Sequence, residues 1–151
     1  MNLFARAIGG IVADKVGAKM GMRGKGWLLA GLLSMEGIGI ILFAQTNSLA
    51  MAVVAMLGFA FFLKMANGAT YAIVPFIDSK NVGSVSGIVG AGGNLGGVLA
   101  GFLFKSENIT YNQAFFYIGL VVGAIGLVVA ISRFEKQSQT SEKLQLEPEM
   151  A

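Results

Sequence analysis

Apolar residues run along this chain in long blocks separated by short polar clusters. Four charge-poor blocks, Gly26–Ala44, Leu49–Val74, Gly83–Phe104 and Gln113–Ser132, approach or exceed the roughly 20 apolar residues that a helix needs to cross a bilayer. A fifth, inside residues 1–12, is helical in character, but at about 1.5 Å per residue it covers only half the hydrocarbon core. The pattern predicts an all-α membrane protein: a truncated helix (1–12), a basic loop (13–25), four spanning helices (26–44, 49–74, 83–104, 113–132) and a polar tail (133–151). The tail is mixed in charge and reads as disordered. Pro75 is expected to end the second full helix, because it lacks an N–H and clashes with the preceding turn. Met1–Arg6 lacks the order of a signal peptide. The chain therefore reads as beginning within a membrane helix, as a fragment or truncated gene model of something larger.

Composition sharpens this picture. Hydrophobic residues make up 55% of the chain and charged residues 13%, about half of the roughly 25% usual in soluble domains. There is no cysteine and no histidine, which excludes disulfides, thiolate or imidazole metal sites and histidine acid–base work. No cofactor is implied, and no nucleophile–base pair suggests an enzyme. The net charge of +3 points to topology rather than to nucleic acid. Lys15, Lys19, Arg23, Lys25, Lys80, Arg133, Lys136 and Lys143 all fall on one face of the membrane, whereas the opposite loops hold only Lys105. The positive-inside rule puts the first group in the cytoplasm. Asn108-Ile-Thr110 on the other side matches a glycosylation acceptor, a pattern that is common by chance and here lies close to the bilayer.

The stretch "GIVGAGGNLGGVLAGFLF" (87–104) carries seven glycines, each costing a helix roughly 1 kcal/mol relative to alanine. A dinucleotide loop needs a third glycine where Leu95 stands, and an acidic ribose partner about 20 residues on; neither is present. Wound at about 100° per residue, Ser86, Gly87, Gly90, Gly93, Asn94, Gly97 and Gly101 fall in one arc, with Ile88, Leu95, Val98, Leu99, Phe102 and Leu103 opposite. The spacing Gly93, Gly97, Gly101 lets a neighbouring backbone approach closely. A plain packing seam explains the glycines. Asn94 asks for more, since an unpaired carboxamide costs several kcal/mol in lipid.

"GIVGAGGNLGG" resembles the glycine-rich nitrate signature of the nitrate/nitrite porter family in the major facilitator superfamily. "ARAIGGIVADKVG" is similar to that superfamily's cytoplasmic-loop motif, and "NGATYAIVPF" (67–76) resembles the tenth helix of the family's eukaryotic-type members. The resemblance runs from Asn2 to about Phe104. It implies the end of the eighth helix through the twelfth of the C-terminal six-helix lobe, a plasma-membrane location, and nitrate or nitrite as the transported anion. The partners it implies are the N-terminal lobe absent from this chain and, in some settings, an accessory membrane subunit.

Arg6 lies in "NLFARAIGG", about 12 Å along a helix from Asp14. A planar guanidinium can hold a planar oxyanion through parallel hydrogen bonds, or it can snorkel to the interface. The resemblance places Arg6 where the family's C-terminal-lobe arginine binds the anion, and it adds Gly92, Gly93, Asn94, Gly96 and Gly97 as substrate-path residues. Asn67 and Tyr71 are candidates for the cavity wall. Gly10, Asp14, Lys15 and Gly17 match the loop motif: Asp14 is expected to cap a neighbouring helix and Lys15 to pair with an acid. Glu36 and Lys64 are intramembrane charges that depart from the family. A mutual ion pair is one reading, although counting from "QTNS" (45–48) sets Lys64 roughly 10 Å deeper. The alternatives are a cavity-lining Lys64 and a proton-linked Glu36. Two other functions stay open: a major facilitator transporter of a drug or organic anion, and a small structural membrane protein that oligomerises through its glycine helix.

Overall fold

The computed structural model describes residues 2–132, so the tail expected at 133–151 lies outside the described residues. Four α-helices follow one another: α1 (Asn2–Ala44), α2 (Leu49–Ile77), α3 (Val82–Lys105) and α4 (Tyr111–Ile131). All four are long and apolar enough to cross a membrane. Their outer surface is studded with exposed Leu, Ile, Val, Phe and Trp side chains, Trp27, Leu49 and Phe102 among them. Water would not tolerate so large an apolar surface on a monomer, whereas lipid does.

α1 is two arms joined at one residue. Gly21 has φ 67° and ψ −159°, a region open essentially to glycine alone. The arms fold back on each other there, as the ion pair between Asp14 and Lys25 shows. Those residues are 11 apart in sequence and 2.8 Å apart in space, against about 16 Å in an unbroken helix. The stretch 13–25, expected as a loop, is helical on both sides of Gly21. The reversal needs one glycine rather than a loop.

Pro75 does not end α2, which continues to Ile77. Proline removes the bond to the Tyr71 carbonyl, but the helix absorbs this near its end. Asp78 then makes the turn into α3: Oδ1 accepts from the N–H groups of Lys80 and Asn81, and Oδ2 from Asn81 Nδ2. The Asn81 side chain first, then these two backbone N–H groups, hold its carboxyl below the usual range. α4 begins at Tyr111 because Thr110 and Gln113 form a capping box, Thr110 Oγ1 accepting from the Gln113 N–H and Gln113 Oε1 from the Thr110 N–H.

Glycines bring three helical segments together. A Cβ on Gly9 would collide with the Met65 backbone, and one on Gly68 with the Arg6 carbonyl. Gly37 meets the backbone of Gly119 and Gly123, while Gly126 meets Ser34 and Ala30. The N-terminal arm of α1 thus lies on α2, and α4 lies on the C-terminal arm. Ala13, Leu29, Leu32, Ala66, Ala69 and Ile73 form the core between the two arms and α2.

α3 stands apart. None of its residues is buried among the described residues, and no other helix among them comes within 4 Å of the Cβ position at Gly87, Gly92, Gly93, Gly96, Gly97 or Gly101. The close packing expected along this arc is made among the described residues by other glycines. α3 is instead pinned near its end, where Phe104 packs edge-on to Phe115 at 4.9 Å and stacks on Tyr111, while Phe43 joins Phe115 to Phe59.

Gly68→Ala is expected to force α1 and α2 apart and destabilise the bundle by about 1–3 kcal/mol, the usual cost of overpacking. Gly97→Ala meets nothing and gains helix propensity, about 1 kcal/mol at most. Thermal unfolding of both variants in detergent, followed by circular dichroism, checks the contrast.

Candidate functional site

The approach at Gly68 sets the site. Tyr71 is one turn beyond Gly68 on α2, and Arg6 donates its own carbonyl to the Gly68 contact. Their side chains consequently meet: the Arg6 guanidinium carbon lies 4.7 Å from the Tyr71 ring centroid. Such a stack is attractive because the ring face is electronegative, and it leaves guanidinium N–H donors free. α3 passes on the other side of the tyrosine, the Cβ position of Gly90 lying 3.7 Å from the Tyr71 hydroxyl. Arg6, Tyr71 and the head of the glycine arc thus converge from three helices.

The remaining candidates distribute differently. Gly92, Gly93, Asn94, Gly96 and Gly97 are exposed on the open side of α3, and Asn94 makes no hydrogen bond among the described residues. Lys64 is half-buried and falls on the stripe 64, 68, 71 of α2, the i, i+4, i+7 face that carries Tyr71. Asn67 and Thr70 line a separate cleft of about 160 Å³ with Glu36, Leu33, Leu63, Ala66, Val122 and Ile125. The Thr70 hydroxyl donates to the Ala66 carbonyl at 2.9 Å. Glu36 is buried, and one of its carboxyl oxygens has no hydrogen-bond partner. It forms no ion pair with Lys64 among the described residues, so the mutual pair is not made.

At the fold-back of α1 the loop motif takes an unexpected form. Asp14 pairs with Lys25 instead of capping a helix, and Lys15 is exposed, with no ion pair among the described residues. Lys25 is the residue that sequence reasoning missed. Its side chain is 4% exposed. Nζ donates to Asp14 Oδ1 at 2.8 Å and to the Ala72 carbonyl at 2.9 Å, and it sits 4.1 Å from the Phe76 ring centroid. One ammonium thus joins both arms of α1 to the end of α2. Gly17 makes room for it, since a Cβ there would strike the Lys25 stem. The cue was present in "MRGKGW" (22–27): Gly24 and Gly26, both buried, flank the lysine.

Spanning helices joined by glycine contacts, a lipid-compatible exterior and an arginine held against an aromatic ring define a helical membrane protein. Among curated proteins, the chain is similar to the high affinity nitrate transporter 2.7 of Arabidopsis thaliana, 33% identical over 129 residues and 85% of this chain. It is also similar to the nitrate/nitrite transporter NrtP of a Picosynechococcus strain, 35% identical over 146 residues and 86% of the chain. Elsinochrome transporter 1 of Elsinoe fawcettii is 36% identical over 135 residues, again 86% of the chain. The chain spans 26% of the length of each of these relatives. No family model matches the chain, and no solved structure matches it. The chain belongs to the nitrate/nitrite porter family of the major facilitator superfamily.

Lys25→Met is expected to destabilise the protein by about 1–3 kcal/mol, because the Ala72 carbonyl loses a charged donor in a buried site. Asp14→Asn keeps that donor, and with Asp14 largely exposed its loss should stay under about 1 kcal/mol. Melting temperatures of the two variants in detergent give the comparison.

Proposed function

We propose that the chain is the C-terminal part, from the end of the eighth helix through the twelfth, of a secondary transporter that moves nitrate or nitrite across a membrane by alternating access. The observation that carries this reading is Arg6 stacked on Tyr71 beside the open glycine face of α3. A guanidinium presents in-plane donors that match two oxygens of a planar oxyanion. Lys64, on the Tyr71 stripe, adds positive potential along the same path. A relative named for elsinochrome stands at similar identity to those named for nitrate, so the choice of a small planar anion rests on Arg6 and Tyr71 rather than on likeness.

In this reading, the exposed arc of Gly93, Asn94, Gly97 and Gly101 faces the opposite, N-terminal lobe, which supplies the other half of the anion site, with Gly92 and Gly96 flanking it. Sites in such folds lie between repeats near the midplane. The Gly21 reversal and the Asp78 turn lie on the cytoplasmic side, where the basic residues gather, and the membrane is the plasma membrane.

Uptake of labelled nitrate by the complete porter tests both halves of the proposal. Arg6→Lys keeps the charge but loses the fork, and is expected to raise KM strongly or stop uptake; Arg6→Gln should stop it. Wild-type uptake by Arg6→Gln would reduce Arg6 to an interfacial anchor. Gly97→Leu is expected to insert and fold normally yet abolish uptake, because the added bulk meets only the other lobe.

A further inference from the structure

Glu36 is unused by the site around Arg6, and it sits deep in the C-terminal arm of α1. It is 5% exposed, and one carboxyl oxygen is buried without a hydrogen-bond partner. An ionised carboxylate in such a place needs a cation or several donors. Neither is at hand. From α2 it is faced by Leu63, Ala66, Asn67 and Thr70, from α4 by Val122 and Ile125, and from its own arm by Leu33. None of these is charged or titratable. Lys64 makes no ion pair with it, and Lys25 is engaged by Asp14.

The Thr70 hydroxyl favours the acid form. It spends its only hydrogen on the Ala66 carbonyl, so it offers Glu36 lone pairs alone. Asn67 presents a carbonyl acceptor together with two N–H donors, and among the described residues it makes no hydrogen bond to Glu36. A protonated carboxyl supplies the O–H that such acceptors match, whereas a carboxylate supplies none. The cleft, about 160 Å³, is large enough for several waters at roughly 30 Å³ each, which gives protons a route.

We propose that Glu36 is a reversible proton-binding site inside the membrane, loaded through the cleft it shares with Asn67 and Thr70. Its use as the cation partner of anion movement rests on the proposed transport function; proton binding itself does not. The test is infrared difference spectroscopy of the purified protein in lipid nanodiscs across a pH series. A carbonyl-stretch band of a protonated carboxyl should appear and disappear with pH. It should vanish in Glu36→Gln and persist at a shifted frequency in Glu36→Asp, the variant that also serves if the glutamine protein folds poorly. A band that Glu36→Gln retains, a wild-type band indifferent to pH, or a band moved by sodium at constant pH would each overturn the proposal. Nitrate uptake supplies a separate reading: pH-dependent in the wild type, and at least about tenfold less so in Glu36→Gln, with the KM for nitrate unchanged. Absence of nitrate uptake with the Glu36 band intact would uphold the proton site and overturn the assigned substrate.

Discussion

Everything in this chain is placed by the backbone-to-backbone approach of α1 and α2 at Gly9, Gly10 and Gly68. Lipid offers helices no hydrophobic reward for meeting, so van der Waals contact at small residues must hold them together. With no Cβ at Gly68, the Arg6 carbonyl can rest against it. The same contact fixes the crossing of the two helices, and thereby the distance from Arg6 to the next turn of α2, where Tyr71 waits. It also delivers the Ala72 carbonyl to Lys25, on the other arm of α1.

The charged groups carried by these helices divide by how completely they are satisfied. Lys25 has a carboxylate, a carbonyl and an aromatic face and behaves as a structural tie. Arg6 has a ring but no anion in contact with its guanidinium among the described residues. Glu36 has an oxygen with no hydrogen-bond partner among the described residues. Completeness of coordination separates Lys25, which holds the fold, from the other two.

Much of this was legible in the sequence, because a bilayer imposes length and apolarity on any segment that crosses it. The four apolar blocks are an honest signal of four helices. Arg6 stood out in the sequence for the same reason: a guanidinium in a hydrophobic run is rare. The glycines were harder. Their spacing in 87–104 is the most regular in the chain, yet the glycines that pack here are Gly9, Gly37, Gly68, Gly119 and Gly126, whose partners are distant in sequence. The reversal at Gly21 was read as a loop because polar residues surround it, whereas the deciding quantity is one φ angle. Lys25 looked like one more basic residue of that loop. Its burial depends on the fold-back, which no local pattern encodes.

α3 has no buried residue and is held chiefly near its ends, by Phe104 in the aromatic cluster and by the Asp78 turn, with a light touch at Gly90. Mechanically it resembles a string clamped at both bridges. Its midsection can bow or roll without opening a cavity or exposing an apolar core, so within this chain the restoring force on that movement is small. Amide hydrogens there are held by the helix's own ladder alone, which places α3 at the soft end of the chain's local stabilities. Whatever surface comes to rest against its glycines sets the curvature of the helix, rather than having to match a curvature fixed in advance.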